Sequence, residues 1–478
     1  MTTFTKHRAS VRRAALPILA SAMVGVMAGW LIPSPAYVRL VMAGAVFSVL
    51  FGLVIRSPRL VLYLLLGWLS VLGLLRRLVT TVGSAGSLGD PLLLVAPAVW
   101  VLLAAVALSL GALRQRTPLA NTVLLLTGLL TVSVVNPLQG SPFVGLAGFL
   151  LVVPPMLAFW VGRGLVDDLM LKKVVVLVAG LAIPAAAYGL IQTLSGFPPW
   201  DARWIADDGY AALNVGGVIR AFGSFASGAE YAGFLAIGIV TWLALGRGIL
   251  RLPLTLAALA LLGTALWFES SRGIIILTSM AAVLLLLARR GVPLRWALLG
   301  AVAVLAALPW LISQVAPAQF SDNATGGLAA HQVQGLTDPF GQQSTLPTHI
   351  AMVTNGLQQA IANPLGLGVG AVTSAAGKYG GVVGGTEADP GNAAVAAGAL
   401  GLVAYILTVF RGLPLAYRVA ARRRDAVALA ALGILSVTFL QWLNGAQYAV
   451  APLPWLVLGW LDRQTVFGAS DAELKEAQ

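Results

Sequence analysis

Apolar runs near 20 residues follow one another from end to end of this chain, and that repetition decides the solvent it folds in. About 20 helical residues cross a hydrocarbon core of about 30 Å. The runs are continuously apolar and do not alternate with period two, which selects helices over the strands of a barrel. Only 10% of the 478 residues are charged and 59% are hydrophobic. A soluble globular chain carries about 25% charged residues, so too few charges remain here to coat a particle surrounded by water. The expected fold class is all-α: a polytopic transmembrane helix bundle, one integral membrane domain over 1–478.

The runs read as about twelve to fourteen spans. They fall at roughly 15–32, 36–55, 58–75, 92–113, 119–136, 142–163, 172–194, 220–246, 253–269, 272–288, 294–313, 392–411, 425–443 and 446–461. Lys and Arg in short loops mark the cytoplasmic side. With the N-terminus inside, the inner segments collect Lys6 to Arg13, Arg56 and Arg59, Arg114 and Arg116, Arg163 to Lys173, Arg247 and Arg251, Arg289 to Arg295, Arg411 to Arg424, Arg463 and Lys475. The outer segments hold only Arg39, Arg76, Arg77, Arg203, Arg220, Arg272 and Lys378. The net charge of +13 is therefore a topology signal and not a nucleic-acid surface. Both termini are expected in the cytoplasm, in a bacterial cytoplasmic membrane. The N-terminus has the basic tail, apolar run and Ser34-Pro35-Ala36 of a signal peptide, but hydrophobic spans continue directly after it, which favours a retained first span.

Two outer segments are more than turns. One is 195–219, rich in aromatics and acids. The other is an external loop at about 314–391, and long loops of this kind are usually functional. Within it, 348–364 places Met352, Val353, Leu357, Ala360 and Ile361 at three- and four-residue intervals, which predicts an amphipathic helix near the membrane surface. Cysteine is absent, which excludes disulfides, thiolate metal sites and cysteine nucleophiles, and the histidines are only His7, His331 and His349. No transition-metal site is expected.

Charged groups at membrane depth are costly and are usually functional or paired. Arg220, in VIRAFGSF, and Arg272, in FESSRGIIIL, both stand at the outer side. Guanidinium forks match phosphate oxygens, so two such arginines suit a diphosphate. Their structural alternatives are a pair of Arg272 with Glu269 and a pair of Arg220 with Glu230. Glu387 and Asp389, in GGTEADPGN, lie beside an apolar wall that favours a general base, or else in a solvated loop. His331 and His349 can titrate near neutrality or stand as exposed loop groups. Trp200 and Trp204 read as interfacial anchors or as platforms for a sugar ring.

The ordered set IRAFGSFASGAEYAGFLAIG (219–238), SSRGIIIL (270–277), NPLGLGVG (363–370) and DPGNAAVAAGALGLVAYIL (389–407) resembles the O-antigen ligase and polymerase superfamily, over about 190 residues. The resemblance implies a membrane glycosyltransferase of the C type. Such an enzyme takes a glycan from an undecaprenyl diphosphate carrier on the outer face and passes it to a hydroxyl of a glycan or lipid acceptor. It needs no metal, cofactor or nucleotide sugar, because the carrier diphosphate is the leaving group. The family's first arginine matches Arg220; its second falls at about His349. Its His-Asn before the late helix is Gly391-Asn392 here, so the family histidine is absent from its place. The expected diphosphate contacts are Arg220, Arg272, His349 and Lys378; the expected base is Glu387 or Asp389; the expected glycan contacts are Trp200, Trp204 and Asn392. The favoured activity is a polysaccharide polymerase working beside a chain-length regulator protein, with an O-antigen-type ligase as the alternative. A transporter or flippase would carry ionisable groups at mid-membrane depth and related halves, whereas these spans hold Glu230 as their main inner charge and no repeat is evident.

Overall fold

The computed structural model describes residues 35–80, 90–208, 214–215, 218–246, 252–315, 320, 323–341, 346–386, 388–445 and 447–476. In chain order its elements begin with α1 (Pro35–Arg56), α2 (Pro58–Thr80), α3 (Val95–Ser109), α4 (Pro118–Val132), α5 (Pro142–Met156), α6 (Ala158–Leu165) and α7 (Asp168–Ser195). There follow α8 (Pro199–Asp208), the short antiparallel pair β1 (Asn214–Val215) and β2 (Val218–Ile219), α9 (Gly228–Leu245), α10 (Leu252–Glu269), α11 (Arg272–Arg289) and α12 (Leu294–Val315). The last third holds α13 (Ala324–Thr337), α14 (Leu346–Ala362), α15 (Ser374–Lys378), α16 (Asp389–Arg423), α17 (Ala426–Val437) and α18 (Pro452–Glu476). Among the described residues, 11 helices are long and apolar enough to cross a membrane, with α5 and α6 counted together. The protein is an all-α, multi-pass membrane protein. The expected span at 15–32 lies outside the described residues.

Helix starts follow local chemistry. Thr117, Ser141, Asp167, Ser227 and Asp425 stand just before their helices, and each side chain accepts a backbone N–H of the first turn. Proline at the first position of α4 and α5 sets the helical φ where no N–H partner is needed.

The centre of the bundle is α9 and α17, whose residues are almost all buried, while α12 is mostly exposed. Lipid is as apolar as a helix face, so close backbone approach decides which spans lie inside. Small residues permit it. A Cβ on Gly433 of α17 would stand 2.8 Å from Val240 Cβ of α9, and one on Gly238 of α9 would stand 2.6 Å from Ala182 Cβ of α7. Gly162 of α6 and Gly459 of α18 face each other's backbone in the same way.

Three segments depart from the expected spans. The span expected at 220–246 becomes a helix only at Gly228; Arg220 to Ser227 run as an irregular strip. The span expected at 425–443 stops at Val437, and an irregular segment joins it to α18. Finally, α16 is broken at Ala397 and Gly398, where Gly398 takes φ +65. The NPLGLGVG segment fills that break: Leu367 and Gly368 donate to the carbonyls of Val395 and Ala396 at 2.7 and 3.1 Å, and Ala399 donates to Pro364 at 3.2 Å. Hence the long loop expected at 314–391 is not loop throughout. It contains α13, α14 and α15, and its 363–372 stretch is packed against α5 and α16.

Candidate functional site

Irregular backbone enclosed by transmembrane helices persists only if its N–H and C=O groups find partners inside the protein. The 220–227 strip obtains them from charged and polar side chains. Gln192 Oε1 accepts from Phe222 and Gly223 N–H at 3.1 and 2.8 Å. The Arg77 guanidinium donates to the carbonyl of Gly223 at 2.5 Å and to that of Phe225. Glu230 Oε2 accepts from Ala226 N–H at 3.1 Å, and the Ser224 carbonyl accepts from Leu74 N–H at 2.8 Å. Arg77 is itself paired with buried Asp201 of α8 at 2.6 Å, and Asp201 also accepts from Tyr188 and Gln192 at 2.6 and 2.7 Å. The strip is thus tied to α2, α7, α8 and α9 at once. Gly73 of α2 makes the approach possible, since a Cβ there would press on the backbone of Phe225 and Ala226.

At the head of this strip Arg220 meets the turn between α10 and α11. Ser270 adopts φ +67, a conformation that costs an L-residue about 1–2 kcal/mol, and so folds the chain back within four residues. This turn places Glu269 and Arg272 at facing helix ends. Glu269 pairs with Arg220 at 3.4 Å, and its Oε2 accepts from Ser271 N–H at 3.1 Å. Arg220 also donates to the Ser271 hydroxyl at 3.2 Å. From α13, Gln332 accepts from the Ser270 hydroxyl at 3.2 Å, and the His331 ring contacts the Arg272 guanidinium. Burial, with the Arg272 and Arg220 cations, pushes the His331 imidazole down to about 4, so it is neutral at pH 7. Three buried polar atoms in this cluster have no hydrogen-bond partner: Arg220 Nε, Glu269 Oε1 and Gln332 Nε2. Both charges of the turn also stand at the wrong helix ends. Glu269 closes α10, where the dipole disfavours an anion, and Arg272 opens α11, where it disfavours a cation.

Asp389 and Asn392 form a separate site at the start of α16. Asp389 is fully enclosed. Its Oδ2 accepts from the Tyr405 hydroxyl at 2.9 Å, from Leu443 N–H at 3.0 Å and from Trp442 N–H, and Oδ1 has no hydrogen-bond partner. Its own N–H donates to the Leu440 carbonyl at 2.9 Å. It therefore holds the irregular 438–451 segment, which Glu230 holds from the other side through Ala449 N–H at 2.6 Å. Buried Asn392 accepts from Thr386 N–H at 2.7 Å and closes the loop that precedes α16. Glu387 lies outside the described residues.

The remaining expected site residues are spread more widely. His349 is half-buried on α14, whose Gly356 and Ala360 are buried, with Gly356 against Gly391 at the start of α16, while Met352 and Ile361 stay exposed. Lys378 is exposed at the end of α15. Trp204 is only 2% exposed, enclosed with Phe222 and covered by the Arg76 guanidinium 5.0 Å from its ring centre. Both faces of that ring are thereby committed to the protein. Trp200 is half-buried and donates to the Tyr188 hydroxyl at 2.8 Å. The structure thus brings Arg220 and Arg272 into one cluster and places Asp389 and Asn392 in another. Sequence reading missed Gln332 and the Arg77–Gln192–Asp201 cradle, and it paired Arg220 with Glu230 or left it unpaired, where the structure pairs it with Glu269. No sequence signal marked Gln332, which stands among other polar residues of the expected loop. Among the described residues no three His, Asp or Glu side chains gather as metal ligands would. Neither the sequence model of a known protein family nor a curated protein matches the chain.

Proposed function

We propose that this protein is a metal-independent glycosyltransferase of the cytoplasmic membrane that uses an undecaprenyl-diphosphate-linked glycan on the outer face, as a polysaccharide polymerase does. The observation that carries the reading is the meeting of Arg220 and Arg272 at one turn with donors to spare. Arg220 Nε and Gln332 Nε2 are buried without acceptors, and the first turn of α11 has no side-chain cap. Buried donors without partners each cost about 1–3 kcal/mol, and an anion at this turn would satisfy them. The charges placed against their helix dipoles point the same way, because local rules are broken most often where a site requires it.

In this reading an acceptor hydroxyl attacks the anomeric carbon and releases its proton to water at the outer face, the bond to the carrier diphosphate breaks, and the negative charge that grows on the leaving diphosphate is met by Arg220 and Arg272. Preorganised donors of this kind are worth about 10²–10³-fold in rate each. The enclosed Asp389 carboxyl, committed to three donors, holds the 438–451 segment.

The test is Arg220→Lys and Arg272→Lys in cells and in purified protein. Each variant keeps a charge but loses the planar fork. Polymer formation should fall by on the order of 10²-fold while the protein accumulates normally. Wild-type polymer from both lysine variants and from Arg220→Ala would remove the arginine pair from the site.

A further inference from the structure

We propose that Glu269 is the resident counter-ion of Arg220 and that an incoming phosphoryl group takes its place, so that ligand entry exchanges one anion for another at a fixed cation. This rests on the diphosphate reading above and adds to it the step by which the seat is vacated.

Among the described residues, the Arg220–Glu269 pair is longer than most buried pairs, and its carboxylate has fewer other donors than Asp201 or Glu230. Arg77–Asp201 closes to 2.6 Å, Arg76–Asp90 to 2.9 Å and Arg163–Asp462 to 3.0 Å, whereas Arg220–Glu269 stands at 3.4 Å; Arg39, the second cation on Asp90, lies at 3.7 Å. Asp201 is further held by Tyr188 and Gln192, and Glu230 takes two backbone N–H groups. Glu269 takes one, from Ser271, and the Oε1 that faces Arg220 accepts no hydrogen bond. The facing atoms of Arg77 and Asp201 also lack a hydrogen bond, so what sets Glu269 apart is the shortage of donors on its other oxygen; the Arg220 Nε is likewise unused. A carboxylate enclosed by protein yet held by so few donors is poorly compensated for the water it lost. Its place at the C-terminal end of α10 removes the dipole's help as well. Besides Arg220, Ser271 is what holds it there.

The surroundings favour exchange over simple addition. The cluster carries Arg220 and Arg272 against one carboxylate, with His331 neutral. A phosphoryl dianion set beside Glu269 would face its charge at a few ångströms, and two like charges that close in a partly dry site repel by several kcal/mol. Displacing the carboxylate from Arg220 removes that repulsion and frees the guanidinium for a bidentate contact. The space beside the carboxylate exists because residue 228 is glycine: a Cβ there would stand 2.9 Å from Glu269 Oε1.

The experiment measures binding of undecaprenyl diphosphate and of inorganic pyrophosphate to the full chain in nanodiscs. Glu269→Gln should bind the diphosphate on the order of 10-fold more tightly than wild type, since a competing charge has gone. Glu269→Asp, which withdraws the carboxylate by one methylene, should fall between them. Arg220→Ala should lose binding in both the wild-type and the Glu269→Gln background. Tighter binding of the lipid than of pyrophosphate assigns the anion to the carrier, and the reverse assigns it to a free phosphate, with the exchange standing in either case. If wild type binds, Arg220→Ala does not, and a normally melting Glu269→Gln binds no more tightly, the exchange is overturned while the diphosphate reading survives. Should Glu269→Gln fail to fold, unchanged affinity in Glu269→Asp overturns it equally. Failure of wild type and both Glu269 variants to bind either probe overturns the diphosphate reading itself.

Discussion

Arg77→Ala should be among the most damaging single substitutions in this protein, although no sequence motif marks the residue. Its side chain and that of Asp201 are both fully buried and pair at 2.6 Å. Removing one partner of a buried ion pair costs about 3–5 kcal/mol, because the other charge stays behind unpaired. The same change strips the donors from the carbonyls of Gly223 and Phe225, and each orphaned acceptor adds about 1–3 kcal/mol. These losses share one rearrangement, so about 5 kcal/mol is the sensible total. Native stabilities are about 5–15 kcal/mol, and at about 2.1 cal/mol/K per residue 1 kcal/mol moves the melting point of a chain this long by roughly 1 °C. Thermal unfolding in detergent, followed by tryptophan fluorescence, should show a drop of roughly 5 °C. Arg77→Met combined with Asp201→Asn should recover part of it, since no charge is then left alone. Exposed Arg116→Ala is the control. The chain has no cysteine, so one placed at Ala226 reports the strip directly, and it should become reactive in the Arg77→Ala background. A melting point for Arg77→Ala within a degree or two of the Arg116→Ala control would refute the idea that Arg77 carries the strip.

Further outcomes follow from other buried groups. Asp389→Ala leaves the Tyr405 hydroxyl and two backbone N–H groups unpaired and should cost about 3 kcal/mol or more, against about 1 kcal/mol for Tyr405→Phe; equal melting points for the two variants would argue against the anchoring role. His331 titrates at about 4 in the folded protein and near 6.5 when unfolded. Between those values the unfolded chain binds a proton that the folded one refuses, so stability falls as pH drops from about 6.5 to about 4 and levels off below. His331→Gln should flatten that part of the curve of melting point against pH, and an unchanged slope would show that the imidazole is not the group responsible. For topology, cysteines placed singly at exposed Ile361 and Lys378 should label with an impermeant thiol reagent in spheroplasts, and one at Arg116 should not; the opposite pattern would invert the assigned orientation.

Apolar run length was enough to place eleven of the fourteen expected spans, because the bilayer sets a length that a sequence must meet whatever its neighbours are; the runs at 425–443 and 446–461 form no helix long and apolar enough to cross a membrane among the described residues, and 15–32 lies outside them. The starts of α4, α5 and α17 were equally local, each written in one capping side chain and expected to within a residue, whereas α7 and α9 begin at the caps Asp167 and Ser227, away from the starts expected for them. Arg220 and Arg272 stood out for a local reason too, since a charge beside an apolar run is conspicuous on its own. What the sequence left open was who meets whom. Whether Arg220 pairs with Glu230, farther along its own expected span, or with Glu269 across the bundle depends on how α9 and α10 pack, and the structure gives Glu269 to Arg220 and Glu230 to the backbone of Ala226 and Ala449. The same holds for the three breaks in the helical pattern. An apolar run reads as a helix to the last residue, yet 220–227, 397–398 and 438–451 depart from it. Beyond a few local turns, their backbone groups find partners in side chains and stretches of chain distant in sequence: Arg77 and Gln192 for the first, NPLGLGVG for the second, Asp389 and Glu230 for the third. Hydropathy is a property of each residue alone, whereas satisfaction of a buried N–H or C=O is a property of the assembled fold.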